Sequence, residues 1–113
     1  MEQYFSDDEL RCKCCGALVI DTVFRIRLNL SRYLAGFPFE ITSGHRCEKH
    51  NIEVGSTSVN HVIGKAADIK CEDAHKRFVM VKAIQQAGIL GIGIGKVFVH
   101  ADINRAVSCI WTY

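Results

Sequence analysis

Apolar residues at Val19, Val23, Ile26, Leu30 and Leu34 recur at spacings of four, three, four and four, the period of a helix that buries one face. The predicted helix runs from Leu18 to Ala35, with Arg25, Arg27 and Arg32 on its wet side and Gly36 as its C-cap. Pro38 prevents continuation. Upstream, Ser6-Asp7-Asp8-Glu9 has the S-x-x-E form in which serine and glutamate satisfy each other's backbone N–H groups, predicting a short helix from Asp7. Phe39-Glu40-Ile41-Thr42 alternates and reads as a strand. Residues 43–64 show no period and are rich in Gly, Ser and Asn, so they read mostly as loop. Lys65–Lys70 is a second strand. Asp73 caps a second helix from Ala74 to Ala87, with Phe78, Val81 and Ile84 inward and Val79 beside them. Gly91–Gly95 reads as a tight connection feeding a strand over Val97–Ile103, and Val107–Trp111 as the last strand. Strands that follow helices through short loops, with no βαβ repeat, predict an α+β fold with a mainly antiparallel sheet and flanking helices.

Length places that fold in a single domain, residues 1–113, because a domain usually takes about 100–200 residues. Fourteen Lys plus Arg against twelve Asp plus Glu leave a net charge of +2, which argues against a dedicated nucleic-acid binder. No apolar run reaches the length of a membrane span. The acidic start, Met1–Glu9, differs from the basic opening of a signal peptide, so the expectation is synthesis in the cytoplasm. A monomer is the expected state.

Six cysteines are many for a cytosolic chain: three crowd into Cys12-Lys13-Cys14-Cys15, while Cys47, Cys71 and Cys109 stand apart. Three readings stay open. They are buried or adventitiously paired thiols, disulfides formed in an oxidising location, or a structural zinc site drawing on the 12–15 cluster plus Cys47 or Cys71.

His61, Asp68 and His100 are the candidate ligands of a catalytic zinc, which takes three nitrogen or oxygen donors at about 2.0–2.2 Å and keeps a position open. His61 and Asp68 are seven residues apart, about 23 Å of straight strand at 3.3 Å per residue, so one ion can join them only if the chain reverses. Gly64 supplies the permissive residue. Asp68 and His100 fall on different predicted strands, and neighbouring strands about 4.8 Å apart can bring a donor from each to one ion. By spacing alone, these residues read equally as core histidines and a turn-capping aspartate.

The wording around them resembles a known family, the zinc-dependent peptidoglycan peptidases of the D-alanyl-D-alanine carboxypeptidase and L-alanyl-D-glutamate endopeptidase group. Phage endolysins and vancomycin-resistance dipeptidases belong to it, and its fold is shared by the hedgehog signalling domain. The family's histidine followed by G-x-A-x-D appears as His61-Val62-Ile63-Gly64-Lys65-Ala66-Ala67-Asp68, and its later strand histidine as Phe98-Val99-His100-Ala101-Asp102. Ile41-Thr42-Ser43-Gly44-His45-Arg46-Cys47 is similar to its S-G-aromatic-R segment. Tyr4-Phe5-Ser6 through Cys14 looks like the start of small phage and prophage members. The resemblance implies zinc held by His61, Asp68 and His100, a hedgehog-like or D,D-peptidase-like fold, and a peptidoglycan peptide as substrate. It also implies that Arg46 holds a substrate carboxylate or carbonyl, a task suited to a planar guanidinium. Action at the cell wall after release, or within a virion, follows from the same resemblance.

Two positions depart from the family pattern. The serine two residues before the first histidine is replaced by Val59, with Ser58 next door as the substrate-contacting hydroxyl. The glutamate that many relatives place three residues before the last histidine is Val97 here. Asp102, two residues after His100 and therefore on the same strand face, is the substitute catalytic residue, either as base or as a group that orients His100. His45 and His50 are alternative acid–base groups, Trp111 and Tyr113 can form an aromatic wall, and His75 reads as solvent-facing. Two rival readings remain: a non-catalytic zinc domain that binds wall or a partner protein, and a structural virion component stapled by its cysteines.

Overall fold

Side-chain caps begin three helices close to where the sequence places them. In the computed structural model, which describes residues 1–113, the elements in chain order are α1 (Asp7–Leu10), α2 (Thr22–Ala35), β1 (Ile41–Ser43), α3 (Glu48–Glu53), β2 (Ala66–Lys70), α4 (Ala74–Gln86), β3 (Gly91–Ile94), β4 (Phe98–Asp102) and β5 (Cys109–Thr112). The Ser6 hydroxyl accepts from the Glu9 N–H at 3.3 Å and the Glu9 carboxylate accepts from the Ser6 N–H at 3.1 Å, closing the capping box of α1. Asp73 caps α4 through the Lys76 N–H at 2.8 Å. Asp21 caps α2 through the Phe24 N–H at 2.9 Å, which starts that helix at Thr22 rather than Leu18. Gly36 ends it in the left-handed region at φ 78°, where a glycine bears no Cβ penalty.

The five strands form one sheet in the order β1-β2-β4-β3-β5, antiparallel throughout except for the parallel β3–β5 pair. This is an α+β architecture with a mainly antiparallel sheet, as expected. One face carries the core. Ala67 and Ile69 of β2, Ile92 of β3, and Val99 and Ala101 of β4 pack in one cluster with Phe24 and Leu28 of α2 and Met80 and Ile84 of α4. The alternate residues, Ala66 and Asp68 of β2 and Phe98, His100 and Asp102 of β4, therefore take the opposite face. No helix is long and apolar enough to cross a membrane.

The structure corrects the sequence reading at four places. Of the predicted stripe, Val19 precedes α2, Val23, Ile26 and Leu34 are exposed on it, with Ile26 at 62%, and Leu30 is half-buried. The buried line is Phe24, Leu28 and Ser31, also spaced four and three, and fully covered. Both lines obey helical period, and the small Ser31 lets α2 approach its neighbour where a second leucine would hold it off. On α4, Met80, Ala83 and Ile84 are buried while Phe78 is 70% exposed. The segment read as loop holds α3, six residues long and too short to show a period. Finally, Gly91–Ile94 is not a connection but the strand β3.

The α2 assignment has a direct consequence. Leu28→Ala should cost about 2–5 kcal/mol, whereas Ile26→Ala should stay within about 0.5 kcal/mol, because only the first empties a packed site. Urea unfolding midpoints of the two variants measure the difference.

Candidate metal centre

The register of β2 against β4 brings the first pair of donors together. Asp68 and His100 are direct cross-strand partners, so their side chains leave the sheet side by side on the face opposite the core. His100 Nδ1 lies 2.9 Å from Asp68 Oδ1. The third donor arrives from the turn before β2. Gly64 reverses the chain at φ 74°, and a Cβ there would meet the Ile20 Cα at 2.7 Å, so the turn packs too closely against residues 19–20 for any other residue. The Gly64 carbonyl accepts from the Asp21 N–H at 2.9 Å, tying the turn to the start of α2. His61 Nε2 then stands 3.5 Å from Asp68 Oδ1.

These three residues fit a zinc ion by their donor chemistry. One ligand atom from each lies within 4.8 Å of the others. Donors about 2.0–2.2 Å from a tetrahedral zinc are separated by about 3.4 Å, and the two spacings to Asp68 bracket that value. Each histidine is also held from behind. His61 Nδ1 sits 2.7 Å from the Gly44 carbonyl, and His100 Nε2 sits 2.8 Å from Asp102 Oδ2. With an ion held between them, each of these acceptors would take the N–H of its ring and leave His61 Nε2 and His100 Nδ1 as lone-pair ligands beside Asp68.

Electrostatics follow the same geometry. Burial works against the charge on Asp68, but hydrogen bonds from His100 and His61 hold its carboxyl well below the usual carboxylate range. Burial likewise opposes protonation of His100, yet the Asp102 and Asp68 carboxylates on its two nitrogens raise its pKa. Asp102 is fully covered. Burial pushes its pKa up, and the hydrogen bonds from His100 and Arg105 bring it down. Arg105 supplies that compensation as a fork, Nε to Oδ1 and Nη2 to Oδ2, both at 2.9 Å.

Asp102 therefore lies behind His100, on the edge away from Asp68, with its oxygens taken by His100, Arg105 and the Asn60 amide at 3.4 Å. Of the two roles the sequence left open, this geometry is that of an orienting group. The loop histidines are also displaced from the cleft. His45 is buried with Nδ1 3.1 Å from the His61 carbonyl, and His50 faces Glu53 at 3.9 Å. His75 is exposed at the start of α4. Ser58 lines the cleft, but its hydroxyl accepts from the Asn60 N–H at 3.3 Å and so serves the turn. Val97 is half exposed just before β4 and brings no acid.

Arg46 closes one side. Its Nη2 reaches Asp68 Oδ2 at 3.2 Å and its Nε donates to Ser43 Oγ at 2.9 Å. The other side is aromatic: the rings of Trp111 and His100 are 5.5 Å apart, and the Arg105 guanidinium stacks 4.2 Å above Trp111. Between these walls is a cleft of about 510 Å³ that includes His61, Asp68 and His100.

The glycines of β3 make that wall possible. Gly93 pairs with His100 on one side and Trp111 on the other. A Cβ on Gly93 would lie 2.8 Å from Trp111 Nε1 and from the Tyr113 hydroxyl, and one on Gly91 would collide with Arg105 and Asp102. Alternate glycines thus bare the site face of β3 so that side chains from β4 and β5 can lean across it. Sequence reasoning missed Arg105. Its signal was an aspartate destined for burial with an arginine three residues on.

A family model described as Peptidase M15 matches residues 3–102. The chain belongs to the peptidase M15 family. That match takes in Arg46, His61, Asp68, His100 and Asp102 and leaves β5 and Arg105 outside. M15 peptidases are zinc-dependent hydrolases, and the family acts on peptidoglycan in general. No curated protein matches the chain.

If Asp102 acts by fixing His100, Asp102→Asn should lower zinc affinity about 10- to 100-fold, the usual cost of losing such a partner. Competition titration against a chromogenic chelator reads that loss.

Proposed function

We propose that this M15 member is a zinc peptidase that cleaves peptidoglycan stem peptides or the cross-links between them. The observation that carries the reading is the convergence of His61 Nε2, Asp68 Oδ1 and His100 Nδ1 beside an open cleft, with both histidines locked from behind. Bound there, zinc supplies Lewis-acid polarisation of a carbonyl and acidification of a water.

The chain's own groups would divide the remaining work. Asp68 would give Oδ1, which lies between the two histidines, to the ion, and it keeps Oδ2 on Arg46. Arg46 keeps donors on the cleft side and binds a carboxylate or carbonyl of the peptide. Its bonds to Ser43, Asn51 and Asp68 hold the guanidinium before substrate arrives, so little rotamer freedom is lost on binding. Trp111 and Tyr113 offer an apolar surface for the peptide or its sugar. Asp102, fully covered, holds His100 without reaching substrate, and Arg105 holds Asp102 from the cleft wall.

A second reading, a zinc domain that binds wall without cutting it, is favoured by one observation. No carboxylate other than Asp68 lines the cleft, so no separate general base is in place. Digestion of purified peptidoglycan separates the two. The peptidase releases new amino termini that a chelator suppresses and zinc restores. Retained binding with no release of amino termini at any zinc level supports the binding domain and overturns the peptidase.

Two substitutions extend this. His61→Ala should abolish release, and release by purified His61→Ala at the parent's rate would rule the centre out. Arg46→Lys keeps the charge but loses the fork, and should lower kcat/KM about 10- to 150-fold, the worth of a charge-assisted hydrogen bond of about 1.5–3 kcal/mol. Steady-state digestion of a stem peptide measures it.

A further inference from the structure

A second cluster of metal-type donors lies away from the cleft and takes no part in the reading above. Cys12, Lys13, Cys14, Cys15 and Gly16 form a tight turn. The Gly16 N–H donates to the Cys12 carbonyl at 2.8 Å, and the Cys12 N–H donates to the Ala17 carbonyl at 2.8 Å. Gly16 sits at φ 76°, a conformation that lets the chain double back directly after Cys15. The fold then carries Cys47 to this turn from 32 residues further on (47 − 15). The sulfurs of Cys12, Cys15 and Cys47 all lie within 4.8 Å of one another. Cys14, exposed on the same turn, approaches Cys47 from outside that set, and its sulfur groups within 4.8 Å of donors of His50 and Glu53.

We propose that Cys12, Cys15 and Cys47, with Cys14 as the fourth donor, form a structural tetrathiolate site for zinc. The spacing suits the ion. Sulfurs at about 2.3 Å from a tetrahedral zinc lie about 3.8 Å apart, so Cys12, Cys15 and Cys47 need only a small contraction, and the exposed Cys14 side chain turns in to complete the set. C-x-x-C followed by glycine presents two sulfurs from one turn, and a distant cysteine completes the set. Backbone donors already address the sulfurs: the Cys47 N–H points to Cys12 Sγ at 3.3 Å and the His50 N–H to Cys47 Sγ at 3.4 Å. Such bonds stabilise thiolates, the form that binds metal. A disulfide joins only two sulfurs, whereas here three lie within 4.8 Å of one another, the arrangement of donors around one ion. Cys71 takes no part, being buried in the hydrophobic core with its Sγ toward the Asp73 carbonyl.

The site has a mechanical role. Cys47 follows Arg46 directly and begins α3, whose Asn51 holds the Ser58 carbonyl at 2.9 Å. Next to it, the Leu10 carbonyl accepts from the His45 N–H at 2.8 Å. A metal joining the 12–15 turn to Cys47 therefore clamps the N-terminal segment to the strip of chain that carries Arg46. It needs no catalysis at the cleft.

Metal analysis of protein purified under reductant tests this. A His61→Ala/His100→Ala variant, lacking two donors of the cleft, should still hold one zinc per chain, and adding Cys12→Ser/Cys47→Ser should remove it. In the unsubstituted chain, cobalt(II) should produce an intense near-ultraviolet thiolate-to-metal charge-transfer band, which nitrogen and oxygen donors do not give. Cys14→Ser should weaken retention of this metal, and His50→Ala should not. The proposal is overturned if the histidine variant holds no zinc, if cobalt gives no such band, or if Cys12 is found in a disulfide with Cys15 or Cys47. Loss of the metal with His50→Ala but not Cys14→Ser would overturn Cys14 as the fourth donor.

Discussion

The pairing of Asp68 with His100 across β2 and β4 is the constraint on which the rest depends. A strand shifted by one residue turns every side chain to the opposite face, so the metal donors and the core are specified by the same register. Ala67, Ile69, Val99 and Ala101 on the core face anchor that register by burial. The donors on the other face are then held without any contribution of their own to the hydrophobic core. This is how a small domain can keep a carboxylate and two imidazoles close together: apolar burial on one side of the sheet offsets the desolvation cost on the other.

That cost is concentrated behind the histidine rather than in front of it. Asp102 is fully covered, and its charge is tolerated only because Arg105 meets both oxygens and His100 and Asn60 take the remaining acceptor positions. A buried ion pair of this kind adds little to stability compared with apolar residues of the same volume. Its value is geometric. It fixes which nitrogen of His100 faces Asp68, and Trp111 stacked beneath the guanidinium restrains Arg105 in turn. The glycine alternation of β3 serves this arrangement, since any side chain at Gly91 or Gly93 would occupy the space that Arg105, Trp111 and Tyr113 use. A stretch with poor strand propensity is thus kept as a strand because its emptiness is needed.

The opposite wall is built from loop and short helix. Arg46 stands between Ser43 at the end of β1 and Asn51 in α3, and it touches Asp68. Few apolar contacts support this segment, and most of what holds it is hydrogen bonding to the turn around residues 58–61 and to Leu10. The cysteine cluster lies where such a wall most needs a cross-link.

The sequence by itself determined whatever depends on neighbours a few residues apart. The capping box at Ser6, the cap at Asp73, the C-cap at Gly36 and the reversal at Gly64 are local chemistry, and all are present in the fold, while the Asp21 cap, equally local, starts α2 at Thr22 where the apolar period suggested Leu18. The spacing from His61 through Gly64 to Asp68, with His100 on a later strand, made these residues candidates, and the resemblance of the surrounding motif to a peptidase family is what singled them out. Tertiary structure decided the rest. Two lines on α2 have the same period, and only the close approach of α4 selects Phe24, Leu28 and Ser31 over the aliphatics beside them. The bare face of β3, the partnership of Arg105 with Asp102, and the arrival of Cys47 at the 12–15 turn all join residues through the sheet order or through long loops. Local pattern encodes the period of a helix or strand and the chemistry of its ends, but which face is covered depends on what packs against it.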